Sequence, residues 1–148
     1  MKRPPESPPP LRATDRKPGP LRPLVLTVGI FYLAMALSEI LLGSEGLLFR
    51  DHQVLLFATV QNLLHWGVGV VLVLGFLGGR MPARVASLAM GLGLMLLAAG
   101  GVLARHRVGG WLGFESTLPF AYNAIHGLSG LALVVAGLGL LDPTRQQS

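Results

Sequence analysis

Two histidines with matching neighbours are the residues of this chain best suited to chemistry. Asn62 and His65 recur sixty-one residues later as Asn123 and His126, and two apolar residues separate the members of each pair. A neutral imidazole binds metals and haem iron, and it transfers protons near neutral pH. The repeated motif therefore predicts a shared ligand site, a proton pathway or a structural brace.

Each histidine is followed four residues later by a glycine, Gly69 in the first copy and Gly130 in the second. Residues three, four and seven positions apart lie on one face of a helix. The asparagine, histidine and glycine of each copy are therefore predicted to form a single stripe along their helix. A glycine leaves space beside the imidazole for the backbone of another helix. We therefore predict that Gly69 and Gly130 are helix-packing residues.

Long apolar segments must position these motifs. The chain has 148 residues, of which 51% are hydrophobic and 13% charged, and its mean hydropathy is +0.59. Four apolar stretches of roughly twenty residues match the thickness of a bilayer, namely 24–42, 54–77, 83–104 and 118–141. The sequence predicts an all-α fold, a four-helix transmembrane bundle in which residues 24–141 form one membrane domain.

The four spans predict two tandem hairpins of two helices each. A shift of sixty-one residues superposes the motif of the second span on that of the fourth, and it also superposes 24–42 on the third span. Because the copies lie two spans apart, they point the same way across the membrane, as a parallel pseudo-repeat. Gly78, Gly79 and Pro82 predict a tight turn between the hairpins.

The distribution of lysine and arginine predicts the orientation in the membrane. Nine of the twelve basic residues lie on the side that holds both termini, and three lie on the other. The sequence predicts a multi-pass protein of the cytoplasmic (inner) membrane with its N- and C-termini in the cytoplasm. The lipid bilayer is the predicted partner, and a homo-oligomer or a partner in a membrane complex is left open.

The first 23 residues differ from the rest of the chain. They hold eight of the eleven prolines, and six basic residues against two acidic ones. Such a segment buries too little apolar surface to fold, so residues 1–23 are predicted to be a disordered cytoplasmic arm and 142–148 a short cytoplasmic tail. The net positive charge belongs mainly to this arm, and no nucleic-acid partner is predicted.

Glu39 is the only carboxylate inside any predicted span. It lies about level with the two asparagines, so we predict a polar cluster of Glu39, Asn62, His65, Asn123 and His126 in the outer half of the bundle. We interpret this cluster as a brace that joins the helices by hydrogen bonds. Two alternatives are binding of haem or a metal between the histidines, and a proton or small-solute pathway through Glu39 and the histidines.

Other kinds of site find little support in the sequence. The chain has no cysteine, which excludes disulfides, thiolate metal sites and iron–sulfur clusters. It shows no nucleophile placed beside a base and no paired carboxylates suited to hydrolysis. The sequence therefore predicts neither an enzyme nor a firm metal site, and it leaves the cofactor unknown.

Residues 55–69 and the second Asn-x-x-His span resemble a family of small bacterial four-span membrane proteins that is classed as a domain of unknown function. The likeness rests on the paired motifs and their downstream glycines, and it covers about residues 24–141. Members of that family often carry a histidine just before the first asparagine, where this chain has Gln61. The resemblance implies a four-span fold and a membrane location, and it implies no activity.

Overall fold

A computed structural model describes residues 19–42, 57–103 and 120–141, and these form four α-helices. The helices are α1 (Leu21–Leu42), α2 (Phe57–Leu77), α3 (Arg80–Leu103) and α4 (Phe120–Gly137). Each predicted span corresponds to one helix. The described part of the chain is thus all-helical, as the sequence predicts.

Some predictions concern residues outside the described part of the chain. They are residues 1–18 of the N-terminal arm, the tail 142–148 and the side chain of Glu39, whose backbone belongs to α1. The disorder of the arm and the place of Glu39 in the polar cluster therefore stay predictions.

Three of the four helices are long and apolar enough to cross a membrane. The segments are Leu21–Ser38 in α1, Arg80–Leu103 in α3 and Phe120–Gly137 in α4. In α2 the apolar stretch within the described residues is shorter, Gln61–Leu77, and the predicted span 54–77 begins outside them. These helices indicate a membrane protein, because about twenty residues cross the hydrocarbon layer.

Apolar side chains also cover the outside of the bundle. Leu63 in α2, Leu96 in α3 and Leu128 in α4 are 64%, 73% and 70% exposed. A soluble monomer rarely exposes large contiguous apolar surface. Exposed leucines on three helices therefore fit a surface that faces lipid.

Helix α1 begins at Leu21, three residues before the predicted span. The Leu24 amide donates the first helical hydrogen bond to the Pro20 carbonyl, at 3.1 Å. Pro23 fits in this first turn because the amides there have no partner within the helix. The last three residues of the predicted arm are consequently helical.

Two glycines make the turn between α2 and α3. Gly79 has a φ of +99°, a left-handed conformation that costs little without a side chain. Its amide donates to the Phe76 carbonyl at 3.3 Å, and its own carbonyl accepts the Ala83 amide at 3.0 Å. The predicted tight turn is confirmed, and α3 begins three residues before the predicted span because its first hydrogen bond already ends on Gly79.

Helix α4 ends at Gly137, so the predicted end of the fourth span is wrong by four residues. The Gly139 amide donates to the Ala136 carbonyl at 2.9 Å and the Leu140 amide to the Val135 carbonyl at 3.1 Å. This pair of bonds around a left-handed glycine, with a φ of +75°, is the Schellman motif that ends a helix.

The helices pack in chain order. Helix α1 makes its most extensive contact with α2, and α3 with α4, whereas α2 packs on α3 less extensively and α1 touches α3 and α4 lightly. The α2–α4 contact is the least extensive of the six, so these helices lie diagonally across the bundle. Buried apolar residues from all four helices form the core: Val25, Tyr32, Leu72, Ala83, Leu94 and Leu133.

A pair of glycines marks a close backbone approach within each hairpin. A Cβ added to Gly69 would lie 3.0 Å from the Gly29 carbonyl oxygen, and one added to Gly130 would lie 2.8 Å from the Gly91 carbonyl oxygen. Small residues commonly permit such approaches between membrane helices. Gly69 therefore lies against α1 and Gly130 against α3.

Candidate functional site

Three buried rings from three helices form the centre of the candidate site. The ring centroid of Tyr32 in α1 lies 5.5 Å from that of His65 in α2 and 6.2 Å from that of His126 in α4. The two imidazole centroids are 6.0 Å apart, and none of the three residues is more than 3% exposed. The motif histidines therefore meet at the centre of the bundle, although their helices lie diagonally and barely pack.

Ser129 fixes the position of the Tyr32 ring. The Tyr32 hydroxyl lies 2.8 Å from Ser129 Oγ, and Ser129 Oγ donates to the Ile125 carbonyl one turn earlier in α4. Because a serine hydroxyl has one proton to donate, Tyr32 is the donor in the bond between the two side chains. This bond joins α1 to α4 and holds the phenol ring beside the imidazoles.

The two motif asparagines have different environments. Asn62 Nδ2 donates to the Ala36 carbonyl at 2.9 Å, which links α2 to α1. Asn123 is 8% exposed, and its Oδ1 has no hydrogen-bond partner among the described residues. Asn62 thus bridges two helices, whereas Asn123 retains an unused acceptor.

A cavity of about 350 Å³ lies between α2 and α3, beside the three rings. Tyr32, Gln61, His65, Gly93 and His126 line it in part. Aliphatic side chains form its walls: Leu64, Val68, Met90, Leu94 and Leu97. Because Gly93 is exposed on the outside of α3, the cavity extends from the centre of the bundle to its outer surface.

Buried polar atoms without partners lie next to this cavity. Gln61 is 5% exposed, and neither Oε1 nor Nε2 has a hydrogen-bond partner among the described residues. His126 Nδ1 is likewise without a partner there. A buried polar group that makes no hydrogen bond costs about 1–3 kcal/mol. These atoms are buried behind the wall of the cavity, and the surface that the cavity presents is apolar.

The arrangement does not fit the predicted haem between His65 and His126. Axial ligation by two histidines needs one imidazole on each face of the macrocycle, but the Tyr32 ring packs against both imidazoles and is held by Ser129. A metal ion would find two imidazoles only, since no group of three or more His, Cys, Asp or Glu lies together among the described residues.

Arginine contacts match between the two hairpins. Arg22 Nη2 donates to the Phe76 carbonyl near the end of α2 at 3.2 Å, and Arg84 Nε donates to the Gly137 carbonyl at the end of α4 at 2.8 Å. The two acceptors are sixty-one residues apart, like the motifs, but the two arginines are sixty-two apart. Gly29 and Gly91 are likewise sixty-two residues apart, and Gly69 and Gly130 are sixty-one apart. The contacts of α1 thus recur in α3 at a spacing of sixty-two residues, whereas those of α2 recur in α4 at the predicted spacing of sixty-one.

Gly93 in α3 lies sixty-two residues after Phe31 in α1, and Tyr122 in α4 lies sixty-one residues after Gln61 in α2. The Tyr122 ring centroid lies 6.4 Å from that of His126, whereas a Cβ added to Gly93 would meet no atom within 4 Å. The space beside Gly93 is part of the cavity.

Tyr32, Gln61 and Ser129 belong to the site but not to the predicted cluster. Ser129 follows His126 by three residues and Gln61 precedes His65 by four. A polar residue at this spacing shares the face of a buried neighbour, so both could have been found from sequence. Tyr32 precedes Glu39 by seven residues and so shares its helix face, and the rotation of α1 in the bundle brings the Tyr32 ring to the histidines.

Comparison with known proteins gives no relative for this chain: no family model, no curated protein and no solved structure matches it. The resemblance to a family of four-span membrane proteins therefore stays a prediction. The function has to follow from the residues of the site.

Proposed function

We propose that this protein is a membrane-embedded binding protein for a small, mainly apolar molecule. The cavity between α2 and α3 carries the proposal, because its walls are aliphatic and it reaches the outer surface of the bundle at Gly93. A molecule dissolved in the bilayer enters through this opening.

The size and walls of the cavity support a small ligand. Sites for small molecules usually have volumes of about 300 to 1,000 Å³, with mostly apolar walls and a few polar groups that fix orientation. This cavity, at about 350 Å³ with aliphatic walls, lies at the lower end of that range. Its apolar walls match a ligand that dissolves in the bilayer.

The membrane setting is part of the proposal. We infer that all four helices cross the cytoplasmic membrane and that both termini are cytoplasmic. Three long apolar helices and the excess of basic residues on one side support this topology. The exposed backbone at Gly93 then faces lipid, and the ligand enters from the bilayer.

We further propose that the two hairpins are a tandem repeat, as in the family that the sequence resembles. The matched arginine-to-carbonyl bonds and the matched glycine pairs support a common hairpin design. Within this repeat, one of two equivalent positions forms the binding site. The other position carries the aromatic residues Phe31 and Tyr122.

A brace function for part of the polar cluster has separate support. Asn62 bonds to the Ala36 carbonyl, and Ser87 Oγ donates to the Leu133 carbonyl at 2.6 Å, which links α3 to α4. Hydrogen bonds between membrane helices stabilise by about 0.6 kcal/mol on average, and by up to about 1.7 kcal/mol. These bonds stabilise the bundle around the cavity.

Photolabelling tests the proposal. The probe is dodecanol with a diazirine in the middle of its chain, and the protein is held in lipid nanodiscs. Adjacent leucines give an internal control, because Leu64 and Leu97 line the cavity whereas Leu63 and Leu96 are 64% and 73% exposed. We expect saturable labelling of Leu64 and Leu97 that unlabelled dodecanol reduces. Labelling confined to Leu63 and Leu96, without saturation, would contradict the proposal.

A further inference from the structure

We infer that an acyl chain of a neighbouring membrane lipid occupies this cavity when the small ligand is absent, and that the head group of this lipid stays outside the bundle. The inference rests on the proposed function, since the chain and the small ligand use the same opening and the same walls. Three features of the cavity lead to it: its apolar surface, its opening beside Gly93 and its depth in the membrane.

The surface of the cavity suits hydrocarbon and not a head group. Aliphatic side chains of α2 and α3 form its walls, and the amide atoms of Gln61 and Nδ1 of His126 are buried behind them. An ester or phosphate group inside the cavity would lose its hydrogen bonds to water without gaining others, which is costly. The part of a lipid that enters is therefore its hydrocarbon chain.

The opening of the cavity lies on the outer surface of α3. Gly93 is exposed there, and a Cβ added to it would meet no atom within 4 Å. Leu92 and Leu96, close to Gly93 in the helix, are 54% and 73% exposed. In a bilayer, lipid chains surround this surface. An empty cavity would leave its walls without contacts on one side, so a lipid chain that enters gains these contacts.

The depth of the cavity matches the hydrocarbon part of a lipid. Arg22 donates to the Phe76 carbonyl and its Cζ lies 4.8 Å from the Phe76 ring centroid, and we place this arginine at the membrane surface. Val68 and Gln61 lie eight and fifteen residues before Phe76, which is about 12 and 22 Å along α2 at about 1.5 Å per residue. The cavity thus lies across the middle of a hydrocarbon layer of about 30 Å, where the ends of lipid chains meet.

The length of the cavity matches only part of a chain. Its lining residues lie within 61–68 of α2 and 90–97 of α3, which is about 10 Å along each helix at about 1.5 Å per residue. Half of the hydrocarbon layer is about 15 Å thick, so a chain that starts at the membrane surface reaches the cavity with its terminal segment. The segment next to the ester stays in the bilayer.

Photolabelling with two matched phosphatidylcholines in nanodiscs tests the inference. One probe carries a diazirine near the methyl end of a stearoyl chain, and the other carries it next to the ester. The readout is the labelling ratio of Leu64 to Leu63 and of Leu97 to Leu96, because the first residue of each pair lines the cavity and the second is exposed. Adjacent residues lie at nearly the same depth, so each ratio cancels the depth of the diazirine.

We expect both ratios to be at least about fivefold higher with the methyl-end probe, the size of one hydrogen bond that an ester in the cavity would lose. Unlabelled dodecanol should lower these ratios, because the small ligand displaces the chain. Gly93→Phe is designed to close the opening and should lower them as well. Gly67→Phe should not, because Gly67 is exposed and does not line the cavity. Gly93→Leu is the second variant if Gly93→Phe does not fold.

The possible results separate this inference from the function on which it rests. If the dodecanol probe labels the cavity saturably but neither phospholipid labels Leu64 or Leu97 above its exposed neighbour, the function stands and the inference is overturned. If the methyl-end probe labels the cavity but dodecanol neither labels it nor competes, the inference stands and the proposed function fails. Equal ratios for the two phospholipids, or ratios unchanged in Gly93→Phe, would overturn the entry of a hydrocarbon chain through this opening.

Discussion

The imidazoles of His65 and His126 lie 6.0 Å apart between ring centroids, although their helices make the least extensive contact in the bundle. The Tyr32 ring stands beside both, stacked on His126 with an interplanar angle of 14° and edge-on to His65. A residue from α1 therefore joins two diagonal helices. The repeated motif forms one site through its side chains and not through direct packing of its helices.

The bond between Tyr32 and Ser129 should be measurable as a coupling energy. Tyr32→Phe keeps the ring and removes the hydroxyl, and Ser129→Ala removes its partner. A double-mutant cycle of unfolding free energies in detergent should give a coupling of about 0.6 to 1.7 kcal/mol, the range for hydrogen bonds between membrane helices. Strictly additive losses would show that this bond does not contribute to the stability of the bundle.

Substitution of glycine by alanine should lower the thermal midpoint at Gly130 but not at Gly67. Gly130→Ala places a methyl group 2.8 Å from the Gly91 carbonyl oxygen, and overpacking of this kind costs about 1–3 kcal/mol. Gly67→Ala is the matched control, because a Cβ there meets no atom within 4 Å. It should leave the thermal midpoint unchanged or raise it, since alanine is the better helix former. A similar change in both midpoints would argue against the close crossing of α3 and α4.

Arg84 and Arg22 each donate to a carbonyl at a helix end, and loss of Arg84 should destabilise the protein more than loss of Arg22. Arg84 is partly buried and donates to Gly137 at 2.8 Å, whereas Arg22 is exposed and donates to Phe76 at 3.2 Å. Arg84→Gln should cost about 1.5–3 kcal/mol, as for other hydrogen bonds to charged groups, and Arg22→Gln should cost less. Thermal unfolding in detergent measures both, and Arg84→Lys tests whether charge alone is enough. A larger loss from Arg22→Gln would refute this ranking.

The histidine pair should hold neither haem nor a structural metal ion. The position of Tyr32 against both imidazoles predicts an absorption spectrum without a Soret band. Dialysis against a chelator should leave the thermal midpoint unchanged, because a bound metal would stabilise the folded state by mass action. A Soret band lost in His65→Ala, or a midpoint lowered by the chelator, would restore the haem or metal hypothesis.

The long elements and their inner faces could be predicted from the sequence. Apolar length located the helices, and the four-residue spacing placed His65 with Gly69 and His126 with Gly130, all of which are buried. Residues at such spacing share a helix face whatever the helix packs against. The residues that share each helix face could therefore be predicted without knowledge of how the helices pack.

Other features depended on backbone conformation and packing. The end of α4 follows from the left-handed conformation of Gly139, which an apolar run of 118–141 conceals. The spacing of four residues places Gln61 and His65 on one face of α2, but the cavity beside them depends on the gap at Gly93. The contact of Tyr32 with both histidines depends on the rotation of α1 in the bundle.

Binding of dodecanol to Gly93→Phe in nanodiscs tests the central claim most directly. The phenylalanine ring is designed to fill the open side of the cavity, where a Cβ at Gly93 meets no atom within 4 Å. Gly67→Phe is the control, because Gly67 is exposed, has the same free space around its Cβ and does not line the cavity. We predict that Gly93→Phe abolishes saturable binding while its thermal midpoint stays near that of the wild type, and that Gly67→Phe binds normally. Wild-type affinity in a folded Gly93→Phe protein would contradict the assignment of this cavity as the binding site.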